Sequence, residues 1–306
     1  MEQGRRRNGR RWLLAAGIAV VLIVAAVVVV KDVVFRDQAR AVSTDEAVTR
    51  YRAEATTVPA TSAGSSTTVA LIPPTISAAT TTAPASTATV TSTVTSTAPP
   101  SVPVALVPPG VYRYTTTGQE HVDALKGATH TYPAETTITV VPDGCGVSLR
   151  WDALKERWDQ WHLCATPAGV ELETDGIQYH EFFNQPDNEA IACQAPVMLV
   201  PAAPSAPAPQ QRTCTLAADP WLPIWTILER GPRTVDGHEV DVQHVQMQIE
   251  DDDQYWEHTT IDWYLALDGL PVQVVATKSS LSSSPIGDIQ YDEHFQLDLE
   301  SLTPLT

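Results

Sequence analysis

The chain has 306 residues, with 36 Asp and Glu against 19 Lys and Arg, a formal net charge of −17 at pH 7. That length holds one large or two small domains. The acidic balance argues against nucleic acid and against anionic lipid headgroups as partners, and leaves cations, basic surfaces or simple solubility as its use.

Residues 1–11 form a basic tail carrying Arg5, Arg6, Arg7, Arg10 and Arg11. Residues 12–30 are an uncharged, almost wholly apolar run of 19 residues. As a helix it would be ~28 Å long, the thickness of a bilayer core. The pattern predicts an uncleaved single-pass anchor with the N-terminus in the cytoplasm and the remainder extracytoplasmic, at the cell membrane. A cleaved signal peptide is the rival, but its apolar region is usually shorter, and Ala39-Arg40-Ala41 lies well beyond the run. In the juxtamembrane segment, 31–56, "STDEAVTRYRAEA" (43–55) suits a short helix capped by Ser43 or Thr44.

Residues 57–108 are rich in Thr, Ser, Pro and Ala, and no charge occurs from 55 to 112. Such a segment has no apolar face with which to pack and favours extended conformations. It reads as a stalk, either O-glycosylated or a bare spacer.

Residues 109–306 carry 30 Asp and Glu against 9 Lys and Arg, a net charge of −21. All four cysteines fall here, an even count that suits two disulfides in an oxidising compartment. Asp143-Gly144, Asp175-Gly176, Asp236-Gly237 and Asp268-Gly269 are hairpin-turn dipeptides. Folding "IDWYLALDGLPVQVVA" (261–276) at Asp268-Gly269 opposes Leu267 with Leu270, Leu265 with Val272, Trp263 with Val274 and Ile261 with Ala276, all on one face. In "IQYDEHFQLDL" (289–299) every second residue is apolar except Glu293. Folding "CGVSLRWDALKERWDQWHLC" (145–164) with 152–157 as its loop opposes Trp151 with Trp158 and Cys145 with Cys164. That register favours the disulfide Cys145–Cys164 and leaves Cys193–Cys214, which would staple a Pro/Ala-rich surface loop (194–213). Strands are expected near 111–117, 135–141, 145–151, 158–164, 168–174, 177–183, 224–230, 238–249, 258–267, 270–279 and 287–299. Residues 219–230 are open to a helical turn at their start. The expectation is a mainly β ectodomain, one long antiparallel meander that curls into a half-barrel, a barrel or a sandwich.

No catalytic motif is present: no Gly-x-Ser-x-Gly, His-Glu-x-x-His, Walker loop or Gly-x-Gly-x-x-Gly. No metal or cofactor site is expected, since short Cys and His spacings are lacking and Glu250-Asp251-Asp252-Asp253 reads as a solvated turn. The scattered histidines, including His162, His180, His238 and His244, read as ordinary sheet residues. A curved apolar face is filled by a core or by a ligand. Tyr112, Tyr114, Trp151, Trp158, Trp263 and Phe295 are the candidates to line such a space, with a plain β core as the competing use of the same residues.

The layout of Arg-rich start, Val/Ala-rich anchor, Thr/Pro stalk and disulfide-bonded β domain resembles actinobacterial single-pass envelope proteins. The 261–276 hairpin with "GDIQYDEHFQLDL" (287–299) is similar to the ends of LolA/LppX-type half-barrels, although the lipid-modified cysteine of the LppX type is missing. That resemblance implies a concave sheet holding acyl chains. Three functions remain open: a non-enzymatic domain binding an apolar or envelope-derived ligand, an adhesion or scaffold module for another envelope protein, and a hydrolase.

Overall fold

The computed structural model describes residues 37–57, 104–217, 219–285 and 287–306. Among the described residues no helix is long and apolar enough to cross a membrane, and the run 12–30 lies outside them, as does most of the Thr/Ser/Pro-rich segment. Among the described residues one helix, α1 (Thr44–Thr57), precedes sixteen strands. They are β1 (Gly110–Val122), β2 (Ala128–Thr131), β3 (Glu135–Asp143), β4 (Gly146–Asp152), β5 (Arg157–Thr166), β6 (Gly169–Phe182), β7 (Gln185–Cys193) and β8 (Val197–Pro201). The second half holds β9 (Ala208–Gln211), β10 (Cys214–Leu216), β11 (Asp219–Trp221), β12 (Ile224–Val235), β13 (His238–Asp251), β14 (Glu257–Ala266), β15 (Pro271–Ser284) and β16 (Gly287–Leu299).

All sixteen belong to one curled antiparallel sheet, a half-barrel. Its order runs β11-β10-β7-β6-β5-β4-β3-β1-β16-β15-β14-β13-β12-β9, with β2 on β1 and β8 on β6. The first long strand therefore pairs with the last: Tyr114 opposes Leu299 and Gly118 opposes Phe295. Gly118 is required there, because a Cβ would meet the His294 carbonyl oxygen at 2.2 Å. The sheet is open between β9, from the Pro/Ala-rich stretch, and β11 just after it, and Pro209 and Pro220 sit in these two edge strands. Proline cannot donate to a ladder, so an edge strand tolerates it and is blunted by it. Across the gap, side chains rather than a ladder make the contact. Gln210 bonds both the amide and the carbonyl of Met198, and Arg230 donates to the Pro201 carbonyl.

Several expectations are met by direct pairings. Trp263 opposes Val274 and Ile261 opposes Ala276. Asp236 and Gly237, both with positive φ, close the β12–β13 turn. Both disulfides are present, Cys145–Cys164 and Cys193–Cys214, the latter between residues opposed in β7 and β10. In the chain-entropy model a closed loop of this size stabilises by about 3 kcal/mol.

Others are corrected. The β4–β5 ladder opposes Trp151 with Asp159 and Trp158 with Asp152, one residue away from the expected register. A slip of one turns side chains to the other face. Trp151 is fully buried inside, 4.4 Å from the Phe295 ring, whereas Trp158 stacks outside on Tyr179 beneath Arg150. The cause is the turn, which Leu154 and Arg157 close by exchanging backbone hydrogen bonds, so the expected loop 152–157 is shorter and skewed. Asp175-Gly176 is no turn but lies within β6; the chain reverses instead at Phe183 and Asn184, both with positive φ. A bulge at Tyr264/Leu265 moves Leu265 opposite Pro271 and leaves Leu267 exposed. The 194–213 stretch is not only surface, because Val197, Leu199 and Val200 of β8 are buried in the core. Residues 219–230 contain strands and no helical turn.

The helix α1 lies on the convex face against β1 and β3. Ser43 caps it, accepting from the Glu46 amide, and Val42 and Ala47 are buried beneath it. Arg50 pairs with Asp152, which is otherwise sealed from solvent.

Candidate functional site

The half-barrel has two unlike ends. The strands' run places the turns at 143–146, 166–169, 236–237 and 268–270, with the C-terminus, at one end. The turns at 123–127, 153–156, 183–184, 252–256 and 284–287 lie at the other. The first end is filled. Tyr112, Tyr114, Ile138, Leu149, Trp151, Leu199, Leu265 and Leu297 are all buried there, and the small gap against Trp161 and Trp263 measures about 10 Å³. That is too little for a bound molecule.

Above this apolar fill runs a layer of charge. Strand pairing sets His130 opposite Glu120, Glu120 opposite Glu293, and Glu293 opposite Lys278, across four neighbouring strands. Arg157 and His180 are opposed on β5 and β6 across the interior. Two carboxylates facing each other inside a sheet repel. Arg157, fully buried, resolves this: its Nε lies 3.0 Å from Glu293 and 3.8 Å from Glu120, and its Nη1 is 2.5 Å from Asp159. Lys278 adds a second cation 3.5 Å from Glu293. His130 joins Glu120 at 2.9 Å to Asp37 at 2.7 Å, and His180 joins the other Glu120 oxygen at 3.0 Å. Tyr291 donates to Glu120 and Tyr132 donates to Glu293.

These partners decide protonation. Burial pushes the Glu293 carboxyl up, but Arg157 and Lys278 overcome it and hold the group well below the usual carboxylate range. Burial likewise opposes ionisation of Glu120, and hydrogen bonds from His130 and His180 bring it below its ordinary value. His130 is lowered by burial and raised more by Glu120 and Asp37, so it binds its proton more tightly than a free histidine. Burial, then the carboxylates of Glu293 and Glu120, pushes Tyr291 far up and keeps it a donor.

Beyond the charged layer the interior opens into a cavity of about 700 Å³. Its wall is mostly apolar and includes Val122, Leu125, Phe182, Phe183, Leu216 and Ile289. Its polar lining is extensive and includes three carboxylates, Asp187, Glu189 and Glu257, beside His180, Lys278 and Tyr291 of the charged layer. Glu189 is pushed up by loss of hydration in the wall. This volume is that of a small-molecule site, with an inner surface that is mainly apolar by area.

None of the six aromatic candidates from the sequence lines this cavity. Tyr112, Tyr114, Trp151, Trp263 and Phe295 are in the core cluster, and Trp158 is on the outer face. The charged layer beneath the cavity was marked faintly in the sequence. Glu293 interrupts an apolar alternation, and Lys278 continues the inward parity of Val272, Val274 and Ala276. His180 finds its carboxylate on β1, far along the chain, not at neighbouring Glu181. Cys145, Cys164 and Glu173 are grouped as metal ligands would be, but both sulfurs are committed to the disulfide. No family model matches the chain, and comparison with curated proteins and with solved structures finds no match either.

Proposed function

We propose that this is a membrane-anchored extracytoplasmic domain that binds an amphiphile of envelope origin, its apolar part held in the cavity at the open end of the half-barrel. The single observation carrying this reading is the cavity: about 700 Å³, mostly apolar, over a floor of charges already paired with one another. Phe182, Phe183, Val122, Leu216 and Ile289 would remove the apolar chain from water, worth roughly 25 cal/mol per Å² buried. Lys278, His180, Tyr291 and Gln178 would meet a polar group. The two disulfides support an oxidising compartment, and the apolar run 12–30 supports the anchor. No covalent step is proposed: the charged groups satisfy each other, which suits a fixed floor.

Native mass spectrometry of residues 37–306, purified without detergent, tests the reading together with uptake of a fluorescent fatty acid. The expected result is a bound mass or saturable uptake. Ser280→Trp, which fills the cavity from β15, should reduce uptake at least about tenfold, since its bulk displaces a ligand group outright. A ligand-free mass with no uptake sinks the proposal and leaves the scaffold reading.

A further inference from the structure

The polypeptide reaches the β domain at a particular place. Asp37 accepts hydrogen bonds from the Phe183 amide at 3.0 Å and from His130 Nε2 at 2.7 Å. Phe183 is part of the cavity wall. Three residues later Arg40 pairs with Glu156 in the β4–β5 turn, at the same end. The segment then buries Val42 and enters α1, which runs away from that end: Lys155 of the β4–β5 turn pairs with Glu46 in its first turn, and Arg52 donates to the carbonyl of Thr306 near its other end. The chain returns at the filled end, where the Val107 amide bonds the Asp268 carbonyl and Leu106 packs near Gly146. The described chain thus ends at Thr57 on a docked helix and resumes at Val104, whose neighbours lie beside the 268–270 turn.

We propose that the half-barrel stands with its cavity end toward the bilayer, the lip formed by Leu125, Phe182 and Phe183 against the lipid surface, and its filled end pointing away. This rests on the anchor in the function proposed above. Only six residues, 31–36, separate the apolar run from Asp37, and six extended residues span at most about 20 Å. The 13-residue β1 is about 40 Å along its own axis, or about 30 Å once tilted as in a barrel. The cavity end lies within the tether's reach, and the filled end lies beyond it. The described residues on either side of the Thr/Ser/Pro segment, around Arg52 and Val107, both lie on the distal side of the domain, so in this orientation residues 31–36 set its distance from the bilayer. The lip suits its position. Leu125 is 53 % exposed in the 123–127 loop and borders the same cavity as Phe182 and Phe183. The acidic turn at 251–253 lies at the same end, between β13 and β14, several strands away from the Leu125 loop. A cavity so placed exchanges an amphiphile with the bilayer without carrying it through water.

The test uses the full chain in zwitterionic phosphatidylcholine vesicles carrying headgroup spin-labelled lipid. All the native cysteines are in disulfides, so Leu125→Cys and Ala168→Cys each give one site for a fluorophore, at the cavity end and in the β5–β6 turn of the filled end. The expected result is loss of most emission at position 125 and none at 168. Combining Leu125→Cys with Arg40→Ala and Arg50→Ala, which releases the docked segment, should restore much of the emission. Equal quenching at both positions, or quenching at 168 alone, overturns the orientation and leaves ligand binding standing. A chain that does not float with the vesicles overturns anchor and orientation together. Normal quenching in a protein that takes up no fatty acid sinks only the ligand reading.

Discussion

The filled and open ends of this half-barrel are built from the same strands and differ in what those strands point inward. On β1, Tyr112 and Tyr114 fill the closed half, while Glu120 and Val122 face the charged layer and the cavity. On β16 the order is the same in reverse, with Leu297 and Phe295 below Glu293 and Tyr291. Apolar side chains interdigitate to crystal-like density, so they seal the space they enter. Buried charges hold one another at fixed distances and require all partners together, so they form a rigid floor that keeps the space above it from collapsing. The difference teaches that a cavity in a curled sheet needs a layer that resists apolar collapse.

The sharpest way to break this comparison is to remove the counterion. Arg157→Met leaves Glu293 and Asp159 buried without their guanidinium and should cost about 3–5 kcal/mol. Adding Glu293→Gln should recover part of that loss, and urea denaturation of the single and double variants measures the coupling. Additive costs would show that the layer is not one unit.

The filled end is probed by the two tryptophans. Trp151→Ala opens a void in the core and should cost about 3–5 kcal/mol. Trp158→Ala loses a stack on the outer face and should cost about 1 kcal/mol or less. Thermal denaturation giving equal costs would return the two rings to one face.

A smaller effect is expected at the docked helix. Arg50→Ala removes one of two cations from buried Asp152, the other being Arg150, and should cost about 1 kcal/mol. Limited proteolysis should then cut within 44–57 while the β domain stays intact.

The mildest test is pH. Glu120 and Glu293 lie below their ordinary values when folded, so their contribution is complete above the usual carboxylate range and is lost as pH falls through the folded values. His130 lies above its ordinary 6.5, so its contribution is complete below that value and is lost as pH rises through the folded value. Stability should peak in between. His130→Gln should flatten the alkaline side of a denaturation-midpoint profile and leave the acid side, where Glu293 dominates.

Local chemistry explains what was legible. The Ser43 cap, the hairpin at 268–269, the β class and both disulfides depend on residues near one another in sequence or on parity along one strand. The tryptophan faces depended on a single residue in the 153–156 turn, and period-2 alternation cannot reveal a slip of one when both faces carry apolar groups. The edge β9 was hidden because proline-rich sequence reads as loop, and β11 because the start of 219–230 also suits a helical turn. Glu293 stood out as an exception in its strand, but nothing nearby named Arg157, 136 residues away, as its partner.

The sequence by itself determined that this chain carries an apolar run suited to a bilayer and a disulfide-bonded, antiparallel β domain, because hydrophobic period, turn dipeptides and cysteine count act locally. Only the tertiary structure decided that β1 pairs with β16, that the charges of six strands meet in one layer, that a cavity opens above it and that residues 37–40 dock beside that cavity. Each of these joins residues a hundred or more positions apart, and such meetings are selected by how the whole sheet curls and which partners can share a space without water.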